Sequence, residues 1–341
     1  SIYNEGIEIN SMMEKARRAI AGLLGVQASD VIFTSGSSES NTSAIKGVCF
    51  ANKNKKHIIT TNVEHSSILN CCRQMEEVFG YRVTYLPVDS TGKVSLKQVM
   101  DAVDEDTAIV SIMYVNNESG AINPINEISE YVKKKTHAYM HVDLTQSIGK
   151  VPLDMTNIDL ASISAHKLEG LKGSGILVKK SFVPYVPLIN GGEQEFGIRG
   201  GTSNALVDMM FAKTLRLALE NGKKYHSCIQ EMHDRLIAGL KSIEGVEINS
   251  PSDAIASTIN FSYENIPSEV MQNALNEGGF MVSARSTCDS KSMNPSYVLE
   301  AMGFSEKRAS SCIRVSLSYH NTLEEVDRFI EVLKGVIQLY G

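Results

Sequence analysis

The chain has 341 residues, of which 43% are hydrophobic and 21% charged, with a formal net charge of −6. That length supports a large core and two domains, and the composition is that of a globular enzyme. The acidic balance argues against nucleic-acid binding as the main role, and no apolar run or leader reads as a membrane span or signal peptide.

Residues 9–24 carry an amphipathic helical pattern, and a short strand at 31–33 runs into Thr34-Ser35-Gly36-Ser37-Ser38 and then a helix through Cys49. A strand at 57–60 precedes a helix at 65–79. Further strands at 82–86, 107–113, 138–142, 160–164 and 174–178 are interleaved with helical patterns at 96–103 and 125–135. Such alternation predicts α/β architecture with a mostly parallel sheet. Beyond residue 206 the pattern changes. Helices at 207–220 and 226–242 lead to strands at 257–262, 280–284 and 313–317, with helices at 268–277, 295–302 and 323–339. The expected organisation is a large α/β domain over 1–205 and a smaller C-terminal α+β domain over 206–341, with no linker or repeat.

The six cysteines, Cys49, Cys71, Cys72, Cys228, Cys288 and Cys312, form no Cys-x-x-Cys pair. No metal site is expected from them, and their spread fits a reducing cytoplasm better than a disulfide framework.

Candidate chemistry collects at strand ends. Asp143 closes one apolar run, and Lys167, in Ser164-Ala165-His166-Lys167, closes another. Open α/β sheets place their ligands at the C-terminal ends of strands. An acid and a lysine there suit pyridoxal 5′-phosphate (PLP), whose Schiff base needs the lysine and whose ring nitrogen needs the acid. Many α/β proteins also end strands in Asp or Lys, so the pair alone does not decide the matter. The small residues from Thr34 to Asn41 join a strand to a helix, where backbone N–H groups and the Ser37 or Ser38 hydroxyl can meet a phosphate; a plain serine N-cap is the competing reading. His65, Asn117 and Gln146 follow other strand ends, and His65 can stack on a planar ring or merely cap a helix. Gly191–Thr202 reads as a glycine-rich loop that touches a ligand or a second subunit, or simply connects elements. Cys288, in a small polar segment beside Arg285, has the setting of a reactive thiolate, although Asp289 opposes it. Arg314, inside a strand pattern, needs either a carboxylate ligand or a structural ion pair.

Taken in order, Thr34–Gly47, Val63-Glu64-His65, Val115-Asn116-Asn117-Glu118, His141-Val142-Asp143-Leu144-Thr145-Gln146, Ser164–Lys167, Gly197–Thr202 and Pro295–Gly303 resemble the cysteine desulfurases, within class V of the PLP-dependent aminotransferase fold. The resemblance covers essentially the whole chain. It implies fold type I, in which Lys167 forms the Schiff base, His65 stacks on the ring, Asp143 pairs with the pyridine nitrogen and Gln146 meets the ring hydroxyl. It further implies that Ser38, Ser164 and His166, with backbone N–H groups near Ser37, hold the phosphate. Thr202 would reach the phosphate of a second subunit in a homodimer. Asn117 and Arg314 would bind the carboxylate of L-cysteine, and Cys288 would accept its sulfur as a persulfide, on a loop of the family's long type. Sulfur would pass to an acceptor protein, an iron–sulfur scaffold or a tRNA-thiolation enzyme. Selenocysteine lyase, another β-lyase and a non-catalytic homologue are the alternatives.

The chain also departs from the family pattern. The family's N-terminal strand with its Asn-Ala-Ala-Thr-Thr stretch is missing, so a truncated N-terminus is expected. Ser37-Ser38 replaces the usual Ala-Thr. Glu193 stands for a glycine and Phe196 for an arginine, and Arg285 and Thr287 flank Cys288 where Gly and Ala are usual.

Overall fold

The structure is a computed structural model that describes residues 3–284 and 294–341. Cys288, Arg285 and Thr287 lie outside the described residues. Cα packing separates two compact units. The first comprises residues 1–86, 95–114 and 123–220, and the second 87–94, 115–122 and 221–341. Neither unit is one continuous stretch, unlike the single boundary expected at 205/206.

The first unit begins with helix α1 (Asn4–Leu24) and continues in the order β1 (Val31–Thr34), α2 (Ser37–Ala51), β2 (His57–Thr61), α3 (Ser66–Glu77), β3 (Arg82–Leu86), α4 (Leu96–Ala102), β4 (Thr107–Met113), α5 (Ile125–Lys135), β5 (Tyr139–Asp143), β6 (Leu160–Ser164) and β7 (Gly175–Lys179). Helix α6 (Ala205–Lys224) lies largely within it. The strands form a seven-stranded sheet in the order β1-β7-β6-β5-β4-β2-β3. Strands β3, β2, β4, β5 and β6 run parallel, whereas β7 is antiparallel to both β6 and β1. The mostly parallel sheet read from the sequence is therefore present. Every residue of β1, β2, β4, β6 and β7 is buried, as expected of a sheet covered on both faces. Ile45 and Val48 of α2, Ile68 and Met75 of α3, and Ile58, Ile109 and Leu177 of the strands share one core cluster. Since β1 and β6 both run against β7, the C-terminal ends of β1, β2, β4, β5 and β6 lie along one edge.

The second unit contains α7 (His226–Lys241), β8 (Val246–Ile248), β9 (Thr258–Tyr263), α8 (Ser268–Glu277), α9 (Tyr297–Ala301), α10 (Glu306–Ser310), β10 (Cys312–Ser316) and α11 (Leu323–Tyr340). Its antiparallel sheet runs β10-β9-β8. Helix α11 starts with a capping box, Thr322 with Glu325, and buries Val326, Phe329, Ile330, Leu333 and Val336 at helical spacing. These side chains meet Leu236 and Leu240 of α7 and Phe261 and Ile313 of the strands in one core.

The strand expected at 280–284 does not form. Within this segment only Ser283 bridges, to Arg314. The Val282 carbonyl accepts from the Gln272 amide and the Ala284 carbonyl from the Cys312 thiol, so side chains take the acceptors that a ladder would use. Met281 is 93% exposed and has no core face to fill. Strand β8 and helix α10 have no counterpart in the sequence reading. Each is too short for its periodicity to register.

Candidate active site

Asp143 is the last residue of β5 and is buried. Its Oδ1 accepts the Thr145 N–H at 2.9 Å and its Oδ2 accepts the Asn41 side-chain amide at 2.8 Å. Both donors are neutral, so the carboxylate is oriented but its charge is not cancelled. The Asn41 amide also donates to Ser67 Oγ at 3.0 Å, and Ser67 Oγ lies 2.9 Å from His65 Nδ1. One chain of hydrogen bonds thus joins Asp143 on β5 to His65, through α2 and the first turn of α3. His65 is the N-cap of α3, and its Nδ1 accepts the Ser67 N–H at 3.2 Å. The capping role is compatible with a position along the edge where the C-terminal ends of the strands lie.

Beneath this row lie two fully buried titratable groups. His141 of β5 bridges Ser111 Oγ at 2.8 Å and Ser162 Oγ at 2.9 Å. Burial pulls its pKa down to about 4 against the opposing charge of Asp143, so it is a neutral spacer between strands. Glu64 accepts the Met113 N–H with both oxygens at 3.0 Å and the Thr61 hydroxyl at 2.8 Å. Burial pushes its carboxyl up to about 8, with the Asp143 charge adding to the rise and those hydrogen bonds opposing it. Glu64 ties the ends of β2 and β4 together directly before His65.

Lys167 lies three residues beyond β6, in the short 3₁₀ turn Ala165–Leu168, and is exposed. The turn ends at Glu169, whose φ of 63° lies in the left-handed region. Ser164 Oγ lies 2.8 Å from His166 Nδ1. Burial lowers the His166 pKa, and the charges of Lys167, Lys172 and His65 lower it further. Ser164 and Thr34 both pair with Gly175 of β7. A Cβ on Gly175 would fall 2.5 Å from Gly36 Cα. That absent side chain lets Gly36, the N-cap of α2 with φ 150°, pass over the strand end. Ser37 and Ser38 are the first two residues of α2, and no side chain caps it, so the amides of its first turn suit an anion.

Gln146 Oε1 accepts the Lys150 ammonium at 3.0 Å. The Thr145 hydroxyl is buried without a partner. Thr202 is exposed, beyond the turn Gln194–Gly197. In that turn Glu195 and Phe196 both have positive φ, 46° and 58°. Glu195 is buried and clamped by Arg17, at 2.7 and 2.9 Å, and by the Phe33 N–H at 2.8 Å. The Arg17 guanidinium lies over the rings of Phe33 and Phe196, at 4.7 and 4.9 Å. Phe196 therefore packs against a buried cation.

Asn117 and Arg314 belong to the second unit, where the structure brings them together. Arg314 Nη1 donates to the Asn117 carbonyl at 2.8 Å and Nη2 to Ser283 Oγ at 3.1 Å. Among the described residues Arg314 Nε and Asn117 Oδ1 are buried without hydrogen-bond partners, and burial lowers the guanidinium pKa. Buried orphan groups of this kind are rare. Cys288 lies outside the described residues.

The sequence reading missed Asn41, Ser67 and Glu64 as site residues. Glu64 and Asn41 lie within Val63-Glu64-His65 and Thr34–Gly47, but their partners Met113 and Asp143 are remote in the chain. Only the pairing of burial with polarity distinguishes them.

The Aminotransferase class-V family model matches residues 1–329. The chain is similar to a cysteine desulfurase IscS of Methanosarcina thermophila, 40% identical over 342 residues that cover 99% of this chain and 84% of that protein. Among solved structures, a NifS-like protein superposes with a TM-score of 0.93 at 38% identity, covering 99% of this chain and 91% of the other. DndA from Streptomyces lividans superposes with a TM-score of 0.81 at 32% identity, covering 93% and 90%.

Proposed function

The chain belongs to the class-V aminotransferases, in the branch of the cysteine desulfurases, and from that premise we propose that it is a PLP-dependent enzyme that converts L-cysteine to L-alanine and carries the sulfur away as a persulfide. The observation that carries the reading is the hydrogen-bond chain Asp143–Asn41–Ser67–His65, which prepares a buried acid and an imidazole along the sheet edge where Lys167 follows β6.

The residues fit PLP on three counts. Asp143 is a buried carboxylate whose neutral donors leave its charge for a protonated ring nitrogen. The buried Thr145 hydroxyl lacks a hydrogen-bond partner among the described residues. The Gly36–Gly175 approach opens the first turn of α2 beside Ser164 and His166. On this reading Ser37, Ser38, Ser164 and His166 would hold the phosphate, and His65, Gln146 and Lys167 would be the further residues that hold the cofactor, Lys167 through its amine. When bound, PLP supplies the electron sink that makes the substrate Cα proton removable.

The chain's own residues then divide the remaining work. Arg314 and Asn117 take the substrate carboxylate, with Arg314 Nε and Asn117 Oδ1 as the groups that gain partners. The Lys167 amine would accept the substrate Cα proton at Nζ. The Cys288 thiolate attacks the substrate sulfur, and a Cys288 S–S bond forms as the substrate Cβ–S bond breaks. The electron pair of that bond goes to Cβ, which is protonated as alanine forms. Thr202 reaches the phosphate site of a second copy in a homodimer. The Cys288 persulfide passes to an acceptor protein, an iron–sulfur scaffold or a tRNA-thiolation enzyme. The cytoplasm is the compartment we propose, a reducing one that fits Cys49, Cys71, Cys72, Cys228 and Cys312 as free thiols. No helix among the described residues is long and apolar enough to cross a membrane.

The test supplies L-cysteine to purified wild type, Lys167→Ala and Cys288→Ala and measures alanine and sulfide. Wild type forms both products, and each variant loses nearly all activity. Full activity in Cys288→Ala would overturn the persulfide route.

A further inference from the structure

Glu39 is the third residue of α2, in the turn where the phosphate is placed above, so this argument rests on that reading of Ser37, Ser38, Ser164 and His166. Its Oε2 accepts the Ser35 N–H at 2.8 Å, which draws the carboxylate back over the loop that leads into the helix. A carboxylate there suits a bare helix N-terminus. It opposes a second anion, and a phosphate monoester carries about −1.5 to −2 at neutral pH. The structure contains the compensation. Arg199 Nε donates to Glu39 Oε1 at 2.9 Å, and Nη2 lies 3.4 Å from Oε2. The pair is partly shielded, with the side chains 27% and 13% exposed.

Arg199 is not free to wander to this position. Glu195, four residues earlier, is clamped by Arg17 and by the Phe33 N–H, and the Gly200 N–H donates to the Ile189 carbonyl. These contacts fix the segment on both sides of Arg199. Burial by itself would raise the Glu39 pKa, but the hydrogen bonds from Arg199 and Ser35 outweigh it and hold the carboxylate ionised. The charge that would repel phosphate is therefore present and needs its cation.

We propose that Arg199 is a positioning residue for the cofactor: it neutralises Glu39, and so converts the first turn of α2 from a helix start that repels a second anion into a phosphate-accepting one. Arg199 acts through Glu39 and need not touch the ligand. An arginine that bound the phosphate directly would matter whether or not Glu39 kept its charge.

The experiment measures equilibrium binding of PLP and of pyridoxal, which lacks the phosphate, to apo wild type, Arg199→Gln, Glu39→Gln and Glu39→Gln/Arg199→Gln, by cofactor absorbance and without substrate. Arg199→Gln is expected to bind PLP about tenfold more weakly, the scale of one unscreened charge near a phosphate, with pyridoxal affinity unchanged. Glu39→Gln binds PLP at least as tightly as wild type, and the double variant regains most of the lost affinity. Equal losses for PLP and pyridoxal, a double variant as weak as Arg199→Gln, or unchanged PLP binding in Arg199→Gln would each overturn the proposal. If wild type itself bound no PLP, the cofactor reading would fall and this inference with it. Tight wild-type binding with an indifferent Arg199→Gln removes this inference alone.

Discussion

A carboxyl group at zero exposure, with an acid for its neighbour, sets the residue-scale chemistry at Glu64. Its pKa moves from 4.5 to about 8, chiefly through burial. The folded chain therefore holds this proton more tightly than the unfolded chain. The stability tied to it is complete below about pH 4.5 and is lost as pH rises through about 8. Glu64→Gln keeps an acceptor for Met113 and removes the ionisation. Urea unfolding of wild type and Glu64→Gln at pH 5.5 and pH 8.5 is expected to show the variant gaining on wild type at the higher pH, by on the order of a few kcal/mol. A gap that does not change with pH would mean that Glu64 is already ionised in the fold. At this scale the sequence was legible where a residue's role follows from its place on a strand end. Asp143 and Lys167 announce themselves through the apolar runs they close. Glu64 and Asn41 do not, because their meaning lies in partners 49 and 102 residues away, Met113 and Asp143. No local pattern encodes such pairings.

Elements here are shaped by what is missing from them as much as by what they carry. The antiparallel β6–β7–β1 edge brings Ser164 and Thr34 to either side of Gly175, and the absent Cβ of that glycine makes room for the start of α2. Gly175→Ala puts a methyl group 2.5 Å from a backbone atom, which no side-chain rotation can relieve. It is expected to destabilise the chain by about 1–3 kcal/mol and to weaken PLP binding, since the N-terminus of α2 must shift. Chemical denaturation and cofactor titration read the two effects separately. Wild-type stability in Gly175→Ala would show that the approach is not tight in solution. Strand order was not legible in advance, although the alternation of strands and helices predicted the parallel character. The failure of 280–284 as a strand has the same origin. Its β-favouring residues are real, but Gln272 and Cys312, remote in sequence, take the carbonyls that pairing would have used.

Across the whole molecule, each compact unit is assembled from stretches far apart in the chain. In the first unit the ion pair of Arg17 with Glu195 joins stretches 178 residues apart. Arg17 is 3% exposed, lies over Phe33 and Phe196, donates at 2.5 Å to the Val31 carbonyl and at 2.9 Å to Glu14, and raises no charge it does not meet. Glu195 sits in a left-handed conformation that a non-glycine residue adopts only under constraint, and Phe196 follows in the same region. The ion pair therefore holds a strained turn as well as two charges. Nearby, burial and the Glu195 charge push the Asp208 carboxyl up to about 6, while Arg17 and Arg199 pull it down. Removing Arg17 leaves Glu195 without its ion-pair partner and Asp208 without one of its two cations. Arg17→Met should thus cost about 3–5 kcal/mol, the penalty for breaking one side of a buried pair. Arg17→Met/Glu195→Gln should recover a large part of that loss, because the uncompensated charge is gone even though the turn remains strained. Unfolding free energies of the single and double variants decide between the two contributions. A double variant as unstable as Arg17→Met would place the energy in shape and hydrogen bonding rather than in charge, and the Phe33–Arg17–Phe196 stack would then be the feature that holds the segment before Thr202.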